Sequence, residues 1–243
     1  MFAFDHLTSF AREVLLTNQF RFHWSGNVFR HWLYYLALEP YVRRYWPNVL
    51  IAWTRATDGR LRDPLIGREL LVGCAVGVAV TIAIAGIDAV TSIRFAKNLN
   101  ANSAIHLAAP VLSTLHQAPA WAVWFLVQLF AFRLLLRDTR LAVVAFTAVW
   151  LGLALSGDKP HNDLWTVLIF FPAFSLVITR LGLLGGTAFC FAWIMLTSIL
   201  VTSDLTTGYG NGTLVALGSV AAVGLYGFYT STLAGRRSPV AIT

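Results

Sequence analysis

The sequence predicts an all-α polytopic membrane protein, a bundle of about six transmembrane helices preceded by N-terminal interfacial amphipathic helices. Three observations support this fold class. Of the 243 residues, 57% are hydrophobic and only 12% are charged, whereas soluble domains carry about 25% charged residues. From residue 70 onward, long apolar runs follow one another. The 18 Lys and Arg residues are unevenly distributed, with nine before residue 70 and most of the others in every second gap between runs.

Residues 1–69 are predicted to be a cytoplasmic or interfacial segment. Trp and Tyr alternate with Arg between Phe29 and Trp53, and no apolar run there is long enough to span a bilayer. A mixture of rings and guanidinium groups suits helices that lie in the lipid headgroup layer. The residues predicted to contact lipid or a partner are Arg30, Trp32, Tyr35, Arg43, Arg44, Trp46, Trp53 and Arg55.

Residues 70–233 are predicted to be a six-span bundle, because each apolar run approaches the roughly 20 residues that a spanning helix needs. The runs are Leu70–Ile93, Pro119–Leu136, Leu141–Ser156, Leu164–Thr179, Leu181–Ser203 and Thr213–Leu233. Pro172 should kink the fourth run unless neighbouring helices compensate for its missing hydrogen bond. Residues 98–119 are predicted to form an outside loop with a short interfacial or re-entrant helix. Residues 234–243 are predicted to be a short cytoplasmic tail.

The basic residues predict how these spans are threaded. With a cytoplasmic N-terminus, 15 of the 18 Lys and Arg residues fall on the cytoplasmic side and 3 outside. This excess predicts that both termini lie on the cytoplasmic side of a bacterial inner membrane. Only Arg180–Gly182 separates the fourth and fifth runs, so they form either two helices joined by a tight turn or one long broken helix. The pair Arg236–Arg237 favours the turn, because a broken helix would place that pair outside.

Histidine side chains are the candidate ligands for a bound cofactor, since imidazole can ligate haem iron or the magnesium of chlorophyll-type pigments. Two ligands on one helix face would be about 3, 4 or 7 residues apart. The pairs His23/His31 and His106/His116 are separated by eight and ten residues and do not fit. Histidines that face headgroups or partners are therefore favoured. The cofactor candidates are His23, His31, His106, His116 and His161.

Two further patterns indicate ion handling. Asp88 lies inside the first run, and an intramembrane carboxylate is a functional hypothesis by default, although Arg94 could pair with it near the interface. Thr206–Gly210 reads TTGYG and resembles a potassium-channel filter. The apolar run before it is long enough to cross the bilayer, so an ordinary Gly/Asn turn is favoured there.

Catalytic, metal-binding and nucleic-acid-binding patterns are absent from the sequence. It contains no HExxH motif, no Ser/His/Asp set and no carboxylate pair suited to acid–base chemistry, so we expect neither an enzyme nor a metal site. Its basic residues adjoin apolar spans and aromatic rings, a pattern typical of membrane interfaces and not of nucleic-acid binding. Small residues at a spacing of four indicate close helix contacts, at Gly73, Gly77 and Thr81 and again at Gly218 and Ala222.

Several longer strings carry a family resemblance. They are YLALEPYVRR at Tyr35–Arg44, Trp46-Pro47, RDPLIGREL at Arg62–Leu70, Asp204-Leu205, and YGFYTSTLAG at Tyr226–Gly235. Together they resemble the C-terminal multi-span membrane region of bacterial serine/threonine protein kinases, over Trp32 to Arg237. The resemblance implies a common fold and topology. The chain has no Gly-rich loop before a VAIK-type lysine, no HRD loop and no DFG, so neither kinase activity nor any catalytic residue carries over.

The predicted function is that of a non-catalytic accessory or scaffolding subunit in a larger inner-membrane complex. Its expected partners are membrane lipids and other membrane-protein subunits, and the partner or anionic-lipid surface would be residues 29–62, here called the aromatic–arginine platform. One alternative is a membrane sensor or anchor module derived from the kinase family. Another is a pigment- or haem-binding subunit of a photosynthetic or respiratory complex. A transporter that uses Asp88 is a further alternative.

Overall fold

The computed structural model describes residues 31–91, 104–156, 160–198 and 210–233, and within these ranges the chain forms helices and no strands, which confirms the predicted all-α class. Helix α1 occupies residues 31–45, and a short 3₁₀ turn at Pro47–Leu50 leads into α2. The remaining elements are α2 (Ile51–Thr57), α3 (Pro64–Thr91), α4 (Ala104–Leu136), α5 (Thr139–Leu155), α6 (Pro160–Arg180), α7 (Leu183–Ser198) and α8 (Gly210–Leu233).

Three of these helices are long and apolar enough to cross a membrane, and they mark the chain as a membrane protein. The segments are Pro64–Ile87 in α3, Val111–Leu136 in α4 and Gly212–Thr232 in α8. Shorter apolar helices lie at Thr139–Leu155, Leu164–Arg180 and Leu183–Ser198. Each of the six predicted apolar runs therefore contains a helix.

Two helices begin earlier than the predicted apolar runs. The first span begins at Pro64, six residues before the predicted Leu70, because Pro is well suited to a first helical turn and the Asp63 carboxylate accepts a 2.9 Å hydrogen bond from the Leu65 N–H. Residues 104–119, predicted to belong to an outside loop, form the first half of α4. Their prolines are tolerated there, as prolines in membrane helices often are.

The question of one broken helix or two is settled in favour of the turn. Helix α6 ends at Arg180 and α7 begins at Leu183. Gly182 between them has φ +98°, a left-handed conformation that favours glycine. A Cβ on Gly182 would also lie 2.6 Å from the Val49 carbonyl oxygen. The predicted kink residue Pro172 lies inside α6, which continues on both sides of it.

Successive helices from α3 to α8 alternate in direction. Gly73 and Gly77 of α3 approach Gly185 and Phe189 of α7 in the same order, so α3 and α7 are parallel. Gly67 at the start of α3 meets the end of α8, so these two helices are antiparallel. The α4–α5, α5–α6 and α6–α7 pairs are successive antiparallel neighbours, as the six-run threading requires.

Aromatic rings fill the centre of the bundle between α4, α5, α6 and α7. Phe125 of α4 lies at its middle and makes edge-on contacts with Phe146 of α5 at 6.2 Å and with Phe171 of α6 at 5.4 Å. Such edge-to-face pairs contribute about 0.5–1.5 kcal/mol each beyond the burial of their area. This core fixes the relative positions of the helices that carry the candidate sites.

Candidate functional site

Six helix termini lie at one end of the bundle: the starts of α3, α5 and α7 and the ends of α4, α6 and α8. Arg133 near the end of α4 donates a 2.8 Å hydrogen bond to the Thr139 hydroxyl at the start of α5. Gly67 near the start of α3 lies against Gly227 near the end of α8. We call this region the basic end and define it as loops 46–50, 58–63, 137–138 and 181–182 with the helix termini beside them.

Every Lys or Arg in the described ranges lies at or next to the basic end. These residues are Arg43, Arg44, Arg55, Arg60, Arg62, Arg68, Arg133, Arg137, Arg140 and Arg180. All but Arg55 and Arg133 are exposed. The one-sided distribution inferred from counting is thus a feature of the folded chain over the residues described. The eight other basic residues lie outside the described ranges.

Trp46 connects α1 to the rest of the basic end. The Arg133 guanidinium carbon stands 4.2 Å from the centroid of the Trp46 ring, and the Phe130 ring centroid is 6.3 Å away. A cation–π contact of this kind contributes about 0.5–1 kcal/mol at exposed sites and more when desolvated. Trp46 was predicted to contact lipid or a partner, but its contacts are largely internal and hold the platform in place.

An ion pair shapes the loop between α2 and α3. The Arg55 guanidinium lies 2.7 Å from the Asp63 carboxylate, which is also hydrogen-bonded by the Leu65 N–H. Burial opposes ionisation of Asp63, but these two donors outweigh it and hold the pKa of that carboxyl below its ordinary value. The Tyr226 hydroxyl donates a 2.8 Å hydrogen bond to the Leu61 carbonyl. The loop is therefore fixed at both sides, while the side chains of Arg60 and Arg62 stay exposed.

The outward face of α1 carries the exposed part of the aromatic–arginine platform. Trp32 and Tyr41 are 54% and 58% exposed, and Tyr45, at the edge of the packed face, is 48% exposed. Arg43 pairs with Glu39 at 2.7 Å, and Arg44 stands 5.6 Å from the Tyr45 ring centroid. Exposed rings and guanidinium groups thus occur together on α1, a combination that suits lipid headgroups or proteins.

The opposite face of α1 packs on the bundle and explains why the helix forms. It carries residues at helical spacing that are half-buried or buried: His31, Tyr34, Tyr35, Leu38 and Val42. The Tyr34 ring lies 5.6 Å from Trp124, and the Tyr45 ring lies 6.3 Å from Phe130. Helix α1 therefore runs alongside α4 and in the same direction.

Seven of the eight predicted contact residues are described, and they separate into two groups. Trp32, Arg43 and Arg44 are exposed, as a contact surface requires. Tyr35, Trp46, Trp53 and Arg55 are partly buried and contact other residues of the chain. Arg30 lies outside the described residues.

Two of the five candidate histidines come together, although they are far apart in sequence. His31 of α1 and His116 of α4 line the same cavity of about 310 Å³. Both also line an adjoining cavity of about 370 Å³. His23 lies outside the described residues, and only the backbones of His106 and His161 are described, within α4 and α6.

No family model, curated protein or solved structure matches this chain. The likeness to kinase membrane regions therefore stays a prediction.

Glu69 is a buried ionisable residue that the sequence interpretation missed. Its side chain is only 4% exposed, and its carboxylate lies close to the Gly185 N–H at the start of α7. The signal was present in the sequence, because the carboxylate directly precedes the predicted first span. The predicted intramembrane residue Asp88 lies in α3, and its side chain is outside the description. Among the described residues, no three His, Cys, Asp or Glu side chains are grouped to hold a metal ion.

Proposed function

We propose that this chain is a non-catalytic integral membrane protein that serves as an accessory or scaffolding subunit of a larger assembly in a bacterial inner membrane. In this proposal the basic end faces the cytoplasm. The observation that carries it is the one-sided basic end with the exposed rings and guanidinium groups of α1 beside it. Basic residues are retained on the cytoplasmic side of membrane proteins.

The composition of the platform supports a role in contact formation. Trp, Tyr and Arg are the residue types enriched among those that dominate binding energy at protein interfaces. The same side chains suit the headgroup layer, where each Lys or Arg near an anionic surface contributes about 1 kcal/mol. Contacts of Trp46 with Arg133 and of Tyr34 with Trp124 hold α1 on the bundle, so its exposed side chains keep a fixed position relative to the other helices.

Purification from native membranes in a mild detergent tests this proposal. We expect the wild-type chain to migrate with other membrane-protein subunits. A variant carrying Tyr41→Ala, Arg43→Ala and Arg44→Ala should lose most of the co-purifying protein, because it removes exposed side chains of α1 and leaves the side chains that pack on the bundle unchanged.

The matched control changes exposed apolar residues elsewhere. Val144→Ala with Leu153→Ala alters α5 at side chains that are 65% and 58% exposed, and it should retain the partners. Far-UV circular dichroism checks that both variants are folded. Migration of the wild-type chain as a lone monomer would overturn the proposal, as would equal loss of partners in both variants.

A further inference from the structure

The two cavities beside His31 and His116 form a continuous binding region between α1, α2 and α4. The smaller one, of about 310 Å³, is lined by His31, Tyr34, His116, Gln117, Ala120, Trp121 and Trp124. The second, of about 370 Å³, shares both histidines and Ala120 and adds Trp32, Tyr35, Trp53, Thr57, Pro119 and Val123. Small-molecule sites usually measure about 300–1,000 Å³, so each cavity is large enough to hold part of a ligand.

The described part of the lining carries no formal charge apart from what the imidazoles can acquire. Among the residues that the structure describes, neither cavity is lined by Lys, Arg, Asp or Glu. An ionised ligand buried here would lose its hydration without gaining a counter-charge, which is costly. The described lining therefore suits an uncharged molecule better than haem, whose two carboxylates would meet no cationic side chain among these residues.

The lining is rich in hydrogen-bonding groups set among aromatic rings. A neutral imidazole has one N–H donor and one acceptor nitrogen, and the Gln117 amide and Tyr34 hydroxyl add further donors. Indole and phenol rings of Tyr34, Trp121 and Trp124 provide flat walls on which a planar ring can stack. The ligand that suits this lining is flat, with oxygen acceptors at its edge.

The cavities also reach the outer surface of the bundle. Trp121 and Trp32, one in each lining, are 41% and 54% exposed. Because α4 is long and apolar enough to cross a membrane, a ligand with an apolar tail can keep that tail in the lipid. Only its ring has to enter the cavity.

We propose that the His31–His116 cavities bind a quinone-type ligand, an uncharged planar ring that carries carbonyl oxygens and an apolar tail. The imidazoles of His31 and His116 donate hydrogen bonds to the carbonyl oxygens, and the surrounding rings stack on the ligand ring. Trp32 borders both this site and the exposed face of α1, but the remaining lining residues are not part of that face, and the site does not depend on the accessory role.

Tryptophan fluorescence of the purified full-length chain in detergent tests the site, with decylubiquinone as the probe. Four Trp residues line the cavities, so we expect saturable quenching as the quinone is added. His31→Ala and His116→Ala should each raise the Kd at least about tenfold, equivalent to about 1.4 kcal/mol. Ala120→Trp, which fills space shared by both cavities, should abolish saturable quenching.

Controls separate binding from partition into the micelle. Trp165→Phe, at an exposed position of α6 outside both linings, should leave the Kd unchanged. Decylbenzene has the tail without carbonyl oxygens and should give no saturable change. Thermal unfolding of each variant shows that a weakened Kd does not reflect misfolding, and Gln117→Leu offers a milder variant that should also weaken binding.

Two results would overturn the proposal. Linear, unsaturable quenching of the wild-type chain means that decylubiquinone only dissolves in the micelle. Equal Kd values for wild type and the histidine variants mean that the quinone binds elsewhere. A haemin titration tests the competing ligand. A Soret shift with the wild-type chain that is lost in His116→Ala would show that the cavities bind haem and would overturn the quinone proposal.

Discussion

Glu69 illustrates how a single carboxylate is accommodated inside an apolar span. One of its carboxylate oxygens, Oε2, has no hydrogen-bond partner among the described residues, while the carboxylate lies close to the Gly185 N–H. Gly185 is in the first turn of α7, where N–H groups lack partners within their own helix. Glu69 of α3 is therefore placed to cap α7 from outside, and the positive end of the α7 dipole favours its carboxylate there.

Replacement of Glu69 tests this capping role. Glu69→Gln keeps an oxygen acceptor for Gly185 and should change the free energy of unfolding by less than about 1 kcal/mol. Glu69→Leu leaves the Gly185 N–H unsatisfied and should lower the free energy of unfolding by about 1–3 kcal/mol. Unfolding of the purified protein in detergent measures both values.

The control for Glu69 is Glu39→Gln, which removes an ion pair with Arg43 at the surface. Pairs of this kind, four residues apart on a helix, contribute about 0.2–0.5 kcal/mol, so the variant should stay close to wild type. If Glu69→Leu is as stable as Glu39→Gln, Glu69 does not cap α7.

For single residues, the sequence identified the candidate side chains but not their neighbours in the folded chain. His31 and His116 were candidates because imidazole can bind cofactors, yet their meeting depends on how α1 packs along α4. Helical spacing relates only residues of one helix, so a pair 85 positions apart could not be derived from it. Glu69 was missed because the predicted first span was begun at Leu70, immediately after this charged residue.

At the scale of elements, the small residues of α3 determine how closely α7 can approach. A Cβ on Gly77 would lie 2.7 Å from the Phe189 carbonyl oxygen, and one on Gly73 would overlap the Gly185 carbonyl. The predicted close contact at Gly73 and Gly77 is therefore confirmed. The same prediction for α8 is wrong within the described chain, since Gly218 has no atom near its Cβ position and Ala222 is exposed.

Alanine substitutions in α3 test this helix contact. Gly77→Ala should lower the free energy of unfolding by about 1–3 kcal/mol, the usual cost of inserting an atom into a packed contact. Gly86→Ala is the matched control in the same helix, because nothing lies within 4 Å of its Cβ position. It should be neutral or stabilise by up to about 1 kcal/mol through helix propensity. Equal effects at both positions in detergent unfolding would show that α7 does not lie against Gly77.

Element existence was easier to predict than element boundaries. Each of the six apolar runs lacks charge over most of its length, and backbone groups in lipid must pair within a helix, so helices were the only solution. The start of α3 was misplaced because the predicted run began after the charge of Glu69, and the start of α4 because the predicted run began at Pro119. In the structure Pro64 opens α3, and Pro119 lies within α4.

The directions of the helices agree with the positions of the basic residues. Six helix termini meet at the basic end: the starts of α3, α5 and α7 and the ends of α4, α6 and α8. If one of the apolar runs did not cross the bundle, the arginines after it would lie at the opposite end. This agreement was accessible from the sequence because charge counting depends only on order along the chain. The packing of α1 along α4 could not be predicted from the sequence, because a helix with a stripe of aromatic rings can also lie in the lipid headgroup layer.

Cysteine labelling in cells tests which side of the membrane the basic end occupies. In a background with Cys74→Ala and Cys190→Ala, which removes both buried thiols, single cysteines are introduced at exposed positions. Asp58→Cys and Asp138→Cys report the basic end, and Ser156→Cys reports the far end of α5. Because arginines are retained in the cytoplasm, a membrane-impermeant maleimide should label Ser156→Cys in intact cells. It should label the other two only after permeabilisation. The reverse pattern would invert the orientation, and opposite results for Asp58→Cys and Asp138→Cys would contradict a shared basic end.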